Sequence, residues 1–386
     1  MYICNIMKIL FLIYHGFSEH SGISKKIKYQ IKGLRDLGNE VYVCYYDYDK
    51  DGNKVRYIDG KVVKNYGHSL LSPIRQRTDF VAIADFAVHH HIDFVYARHY
   101  TNANPFIINL FKTFRKNGIK SVIEIPTYPY DKEYDGLPLK YRLELIVDKM
   151  FRQRLAQQTN RIVTFTDELS IFGQKTCCIS NGIDFDSVPV RTSHPRKEHR
   201  IDFIGVAEVH YWHGFDRFIH GIGEYYKDGG AMELFFHIVG GIANREMHDS
   251  KFARGFQDLA DEYHIQDRII YHGQLFGKEL DEVFNQCDFA VGSLARHRSN
   301  IEKIKTLKNR EYAARGIPFI YSETDEDFDN KPYIIKAPAD ESAIHIEEVI
   351  RFYTTLDVTS QEIRESISDL SWKKQMEKVI NHVFNS

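Results

Sequence analysis

The sequence predicts an α/β protein built from two doubly wound domains, and three observations carry that expectation. Short apolar runs of strand length alternate with amphipathic stretches of helical length along the chain. The alternation breaks at the polar, charged, proline-containing segment from Pro189 to Arg200, and strand signals restart at Ile201. Finally, 386 residues suit two hydrophobic cores rather than one.

Met7 to Tyr14 (MKILFLIY) reads as a fully buried first strand, ended by His15-Gly16. A loop through Ser21-Gly22 leads into a helix from about Ser24 to Leu37; Gly38 stops it, and Val41 to Tyr45 is the second strand. This βαβ opening lacks both GxGxxG and the phosphate-loop pattern. Asp47-x-Asp49-x-Asp51-Gly52 imitates the start of a calcium loop, but its twelfth position is Ile58 and no helix precedes it. Asp51-Gly52 and Asp59-Gly60 instead predict hairpin turns.

One helix is predicted over Arg75 to His91. Its terminal His89-His90-His91 point in different directions and cannot chelate together. Asp93 to Ala97 is a strand with Arg98 and His99 at its carboxyl end, where ligands of α/β sheets collect. A helix from Asn104 to Asn117 and a strand from Ser121 to Pro126 follow. Lys140 to Gln157 is a basic amphipathic helix suited to a membrane surface or to plain solvent. Strand signals at Arg161 to Phe165 and Cys177 to Ser180 complete this half.

In the second half strands are expected at Ile201–Gly205, Leu234–Gly240, Arg268–His272, Phe289–Gly292 and Pro318–Tyr321. Helices lie between them at Phe215–Tyr226, Phe252–Tyr263 and Lys278–Asn285. A further helix from Ser299 to Ala314 is stopped by Gly316 and Pro318. Lys308 and Glu311 share a face of it. A helix N-terminus behind a strand attracts anions, so Lys308 suits a phosphate, and the Glu311 carboxylate suits a pair of sugar hydroxyls. Asp325, Asp327 and Asp329 read as a solvated turn, and Ser371 to Phe384 as an amphipathic helix.

Leu307-Lys308-x-x-Glu311-Tyr312-x-Ala314-x-Gly316-x-Pro318 resembles the nucleotide-sugar motif of family 4 glycosyltransferases, which have the GT-B fold. Asn181-Gly182-Ile183-Asp184 resembles that family's interdomain hinge. The resemblance implies two Rossmann-like domains facing across a cleft. Residues 1–186 would form the acceptor-binding domain and 187–370 the nucleotide-sugar domain, with a C-terminal helix, 371–386, crossing back to the first. It places Glu311 on the donor ribose and Lys308 by the diphosphate, beside Leu307. Lys303 stands where the family commonly has a second Glu acting on the transferred sugar. In the loop after Gly205 the family's basic pair is replaced by Val206 and His213, with Arg296, Arg298, Lys303 and Lys305 as candidate sources of the missing charge. Gly22 matches one of two family glycines near the donor phosphates, while Gly240, ending a strand, is expected under the nucleotide and Leu275 along its base.

The run Glu124-Ile-Pro-Thr-Tyr128-Pro-Tyr130-Asp131-x-Glu133 resembles the same subgroup. Glu124 and Tyr128 join Lys303 as catalytic candidates, and His15, Arg98, Tyr130 and Glu133 are expected at the acceptor. The implied activity is retaining transfer of a sugar from a nucleotide-diphosphate donor, UDP-linked by preference, to a saccharide or lipid-linked saccharide in bacterial capsule, exopolysaccharide or O-antigen synthesis. No metal or other cofactor is expected. A nucleotide-sugar epimerase of this fold and a non-catalytic glycan- or partner-binding homologue are the alternatives.

A net charge of −2 gives no overall pull toward nucleic acid. Five cysteines without a CxxC predict reduced thiols in the cytoplasm. Basic helices of the first half make the inner face of the membrane the expected place of work.

Overall fold

The computed structural model describes residues 6–18, 22–99, 101–134, 137–192, 196–241 and 255–385; Ser21 and the side chain of Glu133 lie outside the described residues. The chain divides into two compact units. One runs through Ser180 and resumes at Trp372, and the other is Asn181–Ser371.

The first unit carries a nine-stranded sheet. Its strands are β1 (Lys8–Leu12), β2 (Glu40–Tyr48), β3 (Lys54–Ile58), β4 (Lys61–Gly67), β5 (Phe94–Arg98), β6 (Lys120–Ile125), β7 (Arg161–Thr164), β8 (Ser170–Ile171) and β9 (Gln174–Cys178). They lie in the order β4-β3-β2-β1-β5-β6-β7-β9-β8. Pairs from β2 to β9 are parallel, while β3, β4 and β8 are antiparallel additions at the edges. Strand β1 shows why such a sheet needs apolar residues throughout. Leu10 and Leu12 enter the core under helix Pro105–Lys116, and Ile9 and Phe11 enter the core under helix Gly22–Asp36. The predicted hairpin is present, with Gly52 and Gly60 at positive φ.

The second unit is a six-stranded sheet of β10 (Arg200–Val206), β11 (Glu233–Val239), β12 (Ile269–Gly273), β13 (Phe289–Val291), β14 (Phe319–Tyr321) and β15 (Ile334–Lys336). The order is β12-β11-β10-β13-β14-β15 and every pair is parallel. Strand order reverses between β10 and β13. In an open α/β sheet that is where the strand ends leave a crevice for ligand.

The structure corrects four local expectations. The helix expected over Arg75 to His91 is two, Ser72–Thr78 and Val81–His89, because Asp79 is extended and Phe80 is buried, edge-on to Tyr14. The helix expected from Ser299 starts only at Leu307; Arg296–Ser299 is a single 3₁₀ turn closed by Asn300 in the left-handed region. Strand β15 had no sequence signal strong enough to separate it from the turn before it. Asp325 is not solvated: it is fully buried and takes both terminal nitrogens of the fully buried Arg310, which also binds Asp327.

Helix Trp372–Phe384 packs in the first unit, where Trp372, Met376 and Val379 join Ile27, Ile31 and Leu34 of helix Gly22–Asp36. The helices meet at Gly33, where an added Cβ would lie 2.8 Å from the backbone carbonyl of Trp372. Backbone on the far side leaves no flexible atom to yield. Gly33→Ala is therefore expected to destabilise the protein by about 1–3 kcal/mol, read as a lowered denaturant midpoint. An unchanged midpoint would mean that the helices separate freely.

Candidate functional site

At the switch point of the second sheet, Tyr312 of helix Leu307–Ala314 ties two strand ends together. Its phenol accepts from the backbone N–H of Val206, at the end of β10, and donates to the carbonyl of Val291, at the end of β13, each at 3.1 Å. This holds the helix against both strand ends. Glycines let the backbone close in. A Cβ on Gly205 would meet the Phe215 ring at 2.6 Å, and one on Gly240, at φ +126°, would meet the Ala207 carbonyl.

Lys308 is the second residue of the helix. Its ammonium is buried, has no hydrogen-bond acceptor and lies 5.9 Å from the Phe215 ring centroid. Burial, and then the charge of Arg296, push it down to about 7, with Glu323 pulling the other way. Arg296 is itself lowered by burial; its Nε has no partner and its guanidinium lies 5.7 Å from the Trp212 ring. His213 is buried and held well below its ordinary range by burial and by the charges of Lys308 and Arg296. Its Nδ1 accepts from the His210 N–H at 2.9 Å, so the neutral ring carries its proton on Nε2.

Glu323, just past β14, is 2 % exposed and neither carboxylate oxygen has a partner. Burial raises it to about 7 against the pull of its own backbone N–H, Arg296 and Lys308. Ser293 Oγ and Thr306 Oγ1 are also buried and unpartnered. Native interiors satisfy nearly all such atoms, so a cluster of them makes this corner the candidate site. Sequence reasoning missed Glu323; the Asp-rich run after it drew the eye instead.

Glu311 is half-buried, and its Oε1 accepts from Arg315 Nε at 3.2 Å and Nη2 at 3.1 Å. Leu307 is exposed beside it. Lys305 presents its carbonyl to Asn181 at 2.6 Å. Leu275 packs half-buried on the same core as Val206. Lys303 lies at the surface, paired with Glu326. Arg298 supplies no spare charge, being clamped by Asp216 and Glu341.

The residues expected in the first unit form a different picture. Glu124 is fully buried, with Lys26 Nζ at 3.4 Å, Arg98 Nη1 at 3.0 Å, and Gln30 Nε2 and the Tyr96 hydroxyl both at 2.6 Å. Burial alone would raise its pKa, but Lys26, Arg98 and these hydrogen bonds outweigh it and hold the carboxyl below its ordinary range. Its lone pairs are taken, and Arg98 is taken with it. Tyr128 is half-buried, edge-on to Phe172. Tyr130 is buried, donates to Asp148 at 2.5 Å and packs on His99, whose Nε2 is buried and unpartnered. Gly22 opens the first helix, exposed. His15 lines a recess of about 280 Å³ with Tyr14, Tyr46, Asp47, Gln76 and Lys140. The structure thus brings together Lys308, Arg296, His213 and Gly205, and leaves Lys303 outside that group. Among the described residues no group of three or more His, Cys, Asp or Glu side chains is arranged to hold a metal ion.

No protein-family model matches the chain, and no curated protein is similar to it in sequence. Solved structures do match it over its length. Sucrose-phosphate synthase from Thermosynechococcus elongatus superposes with a TM-score of 0.61 at 12% identity, over 98% of this chain and 99% of that one. The catalytic domain of starch synthase IV from Arabidopsis thaliana, bound to ADP and acarbose, gives 0.62 at 13% identity, with the same 98% and 99% coverage. The pneumococcal O-GlcNAc transferase GtfA, in complex with UDP and GlcNAc, gives 0.55 at 10% identity over 99% of both chains. The fold is that of these GT-B proteins: two α/β units, each on a parallel sheet.

A buried cation without an acceptor costs stability, so Lys308→Met should stabilise the ligand-free protein by about 1–3 kcal/mol. The pH dependence has a definite sign. Between its depressed folded value and its ordinary one, Lys308 binds fewer protons in the folded chain than in the unfolded one. Wild-type stability from this group therefore rises with pH across that window. The advantage of Lys308→Met should be largest below pH 7 and fade on the alkaline side, in chemical denaturation followed across pH. A variant less stable than wild type at pH 6 would show that the ammonium is well solvated.

Proposed function

We propose that the protein is a retaining glycosyltransferase that moves a sugar from a nucleotide-diphosphate donor, UDP-linked, onto a saccharide or lipid-linked saccharide acceptor in bacterial surface-polysaccharide synthesis. One observation carries the donor half of this reading. Lys308, whose ammonium is buried without an acceptor, and Arg296, whose Nε is buried without one, meet a helix N-terminus at the switch point of a Rossmann-like sheet. A diphosphate supplies both the negative charge and the acceptor oxygens that this corner lacks. The neighbours solved with ADP and with UDP support a nucleotide as the occupant. The subgroup resemblance of the Lys308–Glu311 motif supports the pathway.

In this reading Lys308 and Arg296 bind the two phosphates, and the Nε2–H of His213 donates a neutral hydrogen bond. As the glycosidic bond to the leaving diphosphate breaks, charge grows on its bridging oxygen, and fixed cations in a dry pocket stabilise it more than water would. Glu311 keeps one oxygen on Arg315 and turns the other to the ribose hydroxyls. No metal is invoked, because the cations and the helix carry the neutralisation. Glu124 is assigned to holding β6 in place rather than to the reaction, since its oxygens already take four partners. The recess beside His15 is the proposed acceptor seat.

Calorimetry with UDP, GDP, ADP and CMP should show one preferred nucleoside diphosphate. Glu311→Ala should weaken it by about 1.5–3 kcal/mol, as expected for a lost hydrogen bond to a charged group. Lys308→Ala should weaken the diphosphate far more than the bare nucleoside. Equal losses for the two would remove Lys308 from the phosphates, and unchanged affinity in Glu311→Ala would remove the carboxylate from the ribose. No measurable binding of any nucleotide would overturn the donor assignment.

A further inference from the structure

Helix Leu139–Ala156 of the first unit is built the wrong way round for a helix that merely covers a sheet. Of its eighteen residues only Leu145, Asp148, Leu155 and Ala156 are buried. Leu139, Leu143, Ile146 and Met150 are each more than half exposed, and Val147 beside them is exposed too. Their spacing is i, i+4, i+7, i+8, i+11, so they form one continuous apolar stripe. The neighbouring helix Ser72–Thr78 adds Ile74, 58 % exposed, and the turn before it adds Leu70, 97 % exposed. The two helices are joined by an ion pair between Arg77 and Glu144 at 2.9 Å.

Charge is sorted around the stripe. Lys140 and Arg154 flank it on one side and Arg142 and Lys149 on the other, all exposed, with Arg75 exposed on the adjoining helix. The helix has two acids and both turn away from the stripe. Glu144 is spent on Arg77; Asp148 is fully buried, accepting from Ala103 N at 2.9 Å and from the Tyr130 hydroxyl. Of the flanking cations, Lys149 is paired with Asp131 at 3.1 Å; a face that is apolar along its centre and basic on both flanks is complementary to one kind of surface, a bilayer carrying anionic headgroups. A second copy of the chain would bring the same cations against these, which opposes self-association.

We infer that helix Leu139–Ala156, with Leu70 and Ile74, seats the first unit on an anionic phospholipid bilayer, the stripe entering the acyl boundary and the flanking cations meeting the headgroups. The recess lined by His15, Gln76, Arg77 and Lys140 then opens beside the contact, since Lys140 and Arg77 belong to these same two helices. The seat does not depend on which reaction the protein performs.

Flotation of the full chain with vesicles of phosphatidylcholine, alone or with one third phosphatidylglycerol, tests it. The wild type should float with the anionic vesicles at low salt, about tenfold better than with the neutral ones, and lose part of that binding at high salt. The double variant Leu143→Asp/Ile146→Asp should lose about tenfold or more. Arg142→Glu should lose mainly the salt-sensitive part, and serves if the double variant melts early. Leu169→Asp, at an 87 % exposed apolar position elsewhere on the unit, should behave as wild type. Failure of the wild type to float with anionic vesicles at low salt, or a double variant that floats as well as wild type, overturns the inference. So does a wild-type dimer in gel filtration that the double variant abolishes without a change in flotation. Nucleotide binding measured in the same variants separates this question from the donor site.

Discussion

A buried ammonium with nothing to bond to is the constraint around which the second unit is arranged. Tyr312 fixes the helix that carries Lys308 by joining the ends of β10 and β13 through one phenol. The phenol needs both backbone groups, so helix, strand ends and cation keep one geometry. Glycines at 205 and 240 serve the same end by letting chain segments approach where a side chain would block them. The cation is thus held in place before any anion arrives, which is how a site avoids reorganising at the moment of binding.

Comparing the charge clusters shows which are scaffold. Arg310 is as deeply buried as any group in the protein, yet Asp325 and Asp327 answer its nitrogens, and Asn181 and Thr306 supply carbonyls. Arg298 is matched by Asp216 and Glu341, and Glu124 by four partners. Such groups fix the positions of strands and turns, and breaking one would leave a buried charge uncompensated. Lys308, Arg296 and Glu323 differ in one respect only: the structure leaves their hydrogen-bonding capacity open. Burial is common to all these clusters, so satisfaction, not burial, separates framework from site.

The same distinction explains what could be read in the sequence. Periodicity located the parallel strands because a strand buried on both faces has to be almost wholly apolar, as Ile9 to Leu12 of β1 and Phe289 to Val291 of β13 are. Gly316 and Pro318 marked the end of the key helix because chain stops are local chemistry. Its start was read too early, since Arg296 to Thr306 has helix-forming residues while its turn and bridge are held by tertiary contacts, Arg298 to the Tyr211 carbonyl and Lys303–Ile304 to Thr324. Asp325 was misread, and the four partners of Glu124 were not foreseen, for one reason. A carboxylate in sequence looks the same whether it faces water or a buried arginine, and the partners lie between fifteen and ninety-eight positions away. Glu323 left no signal at all, because its meaning resides in having no partner.

Opposed to one another across the same corner, Lys308 and Glu323 have both been driven toward neutrality by burial. Each alone would be a cost with no return, and they make no bond that would offset it. An anion placed between Lys308 and Arg296 changes the balance for both cations at once: it restores the charged form of the ammonium and relieves the repulsion between it and the guanidinium. The same anion disfavours charge on Glu323, whose protonated form can then donate. In the proposed reading an occupant with two negative groups and several acceptor oxygens would answer both cations, whereas a neutral sugar would leave them as they are. That asymmetry is the physical reason to look for a diphosphate in this corner, and it holds without reference to any similar protein.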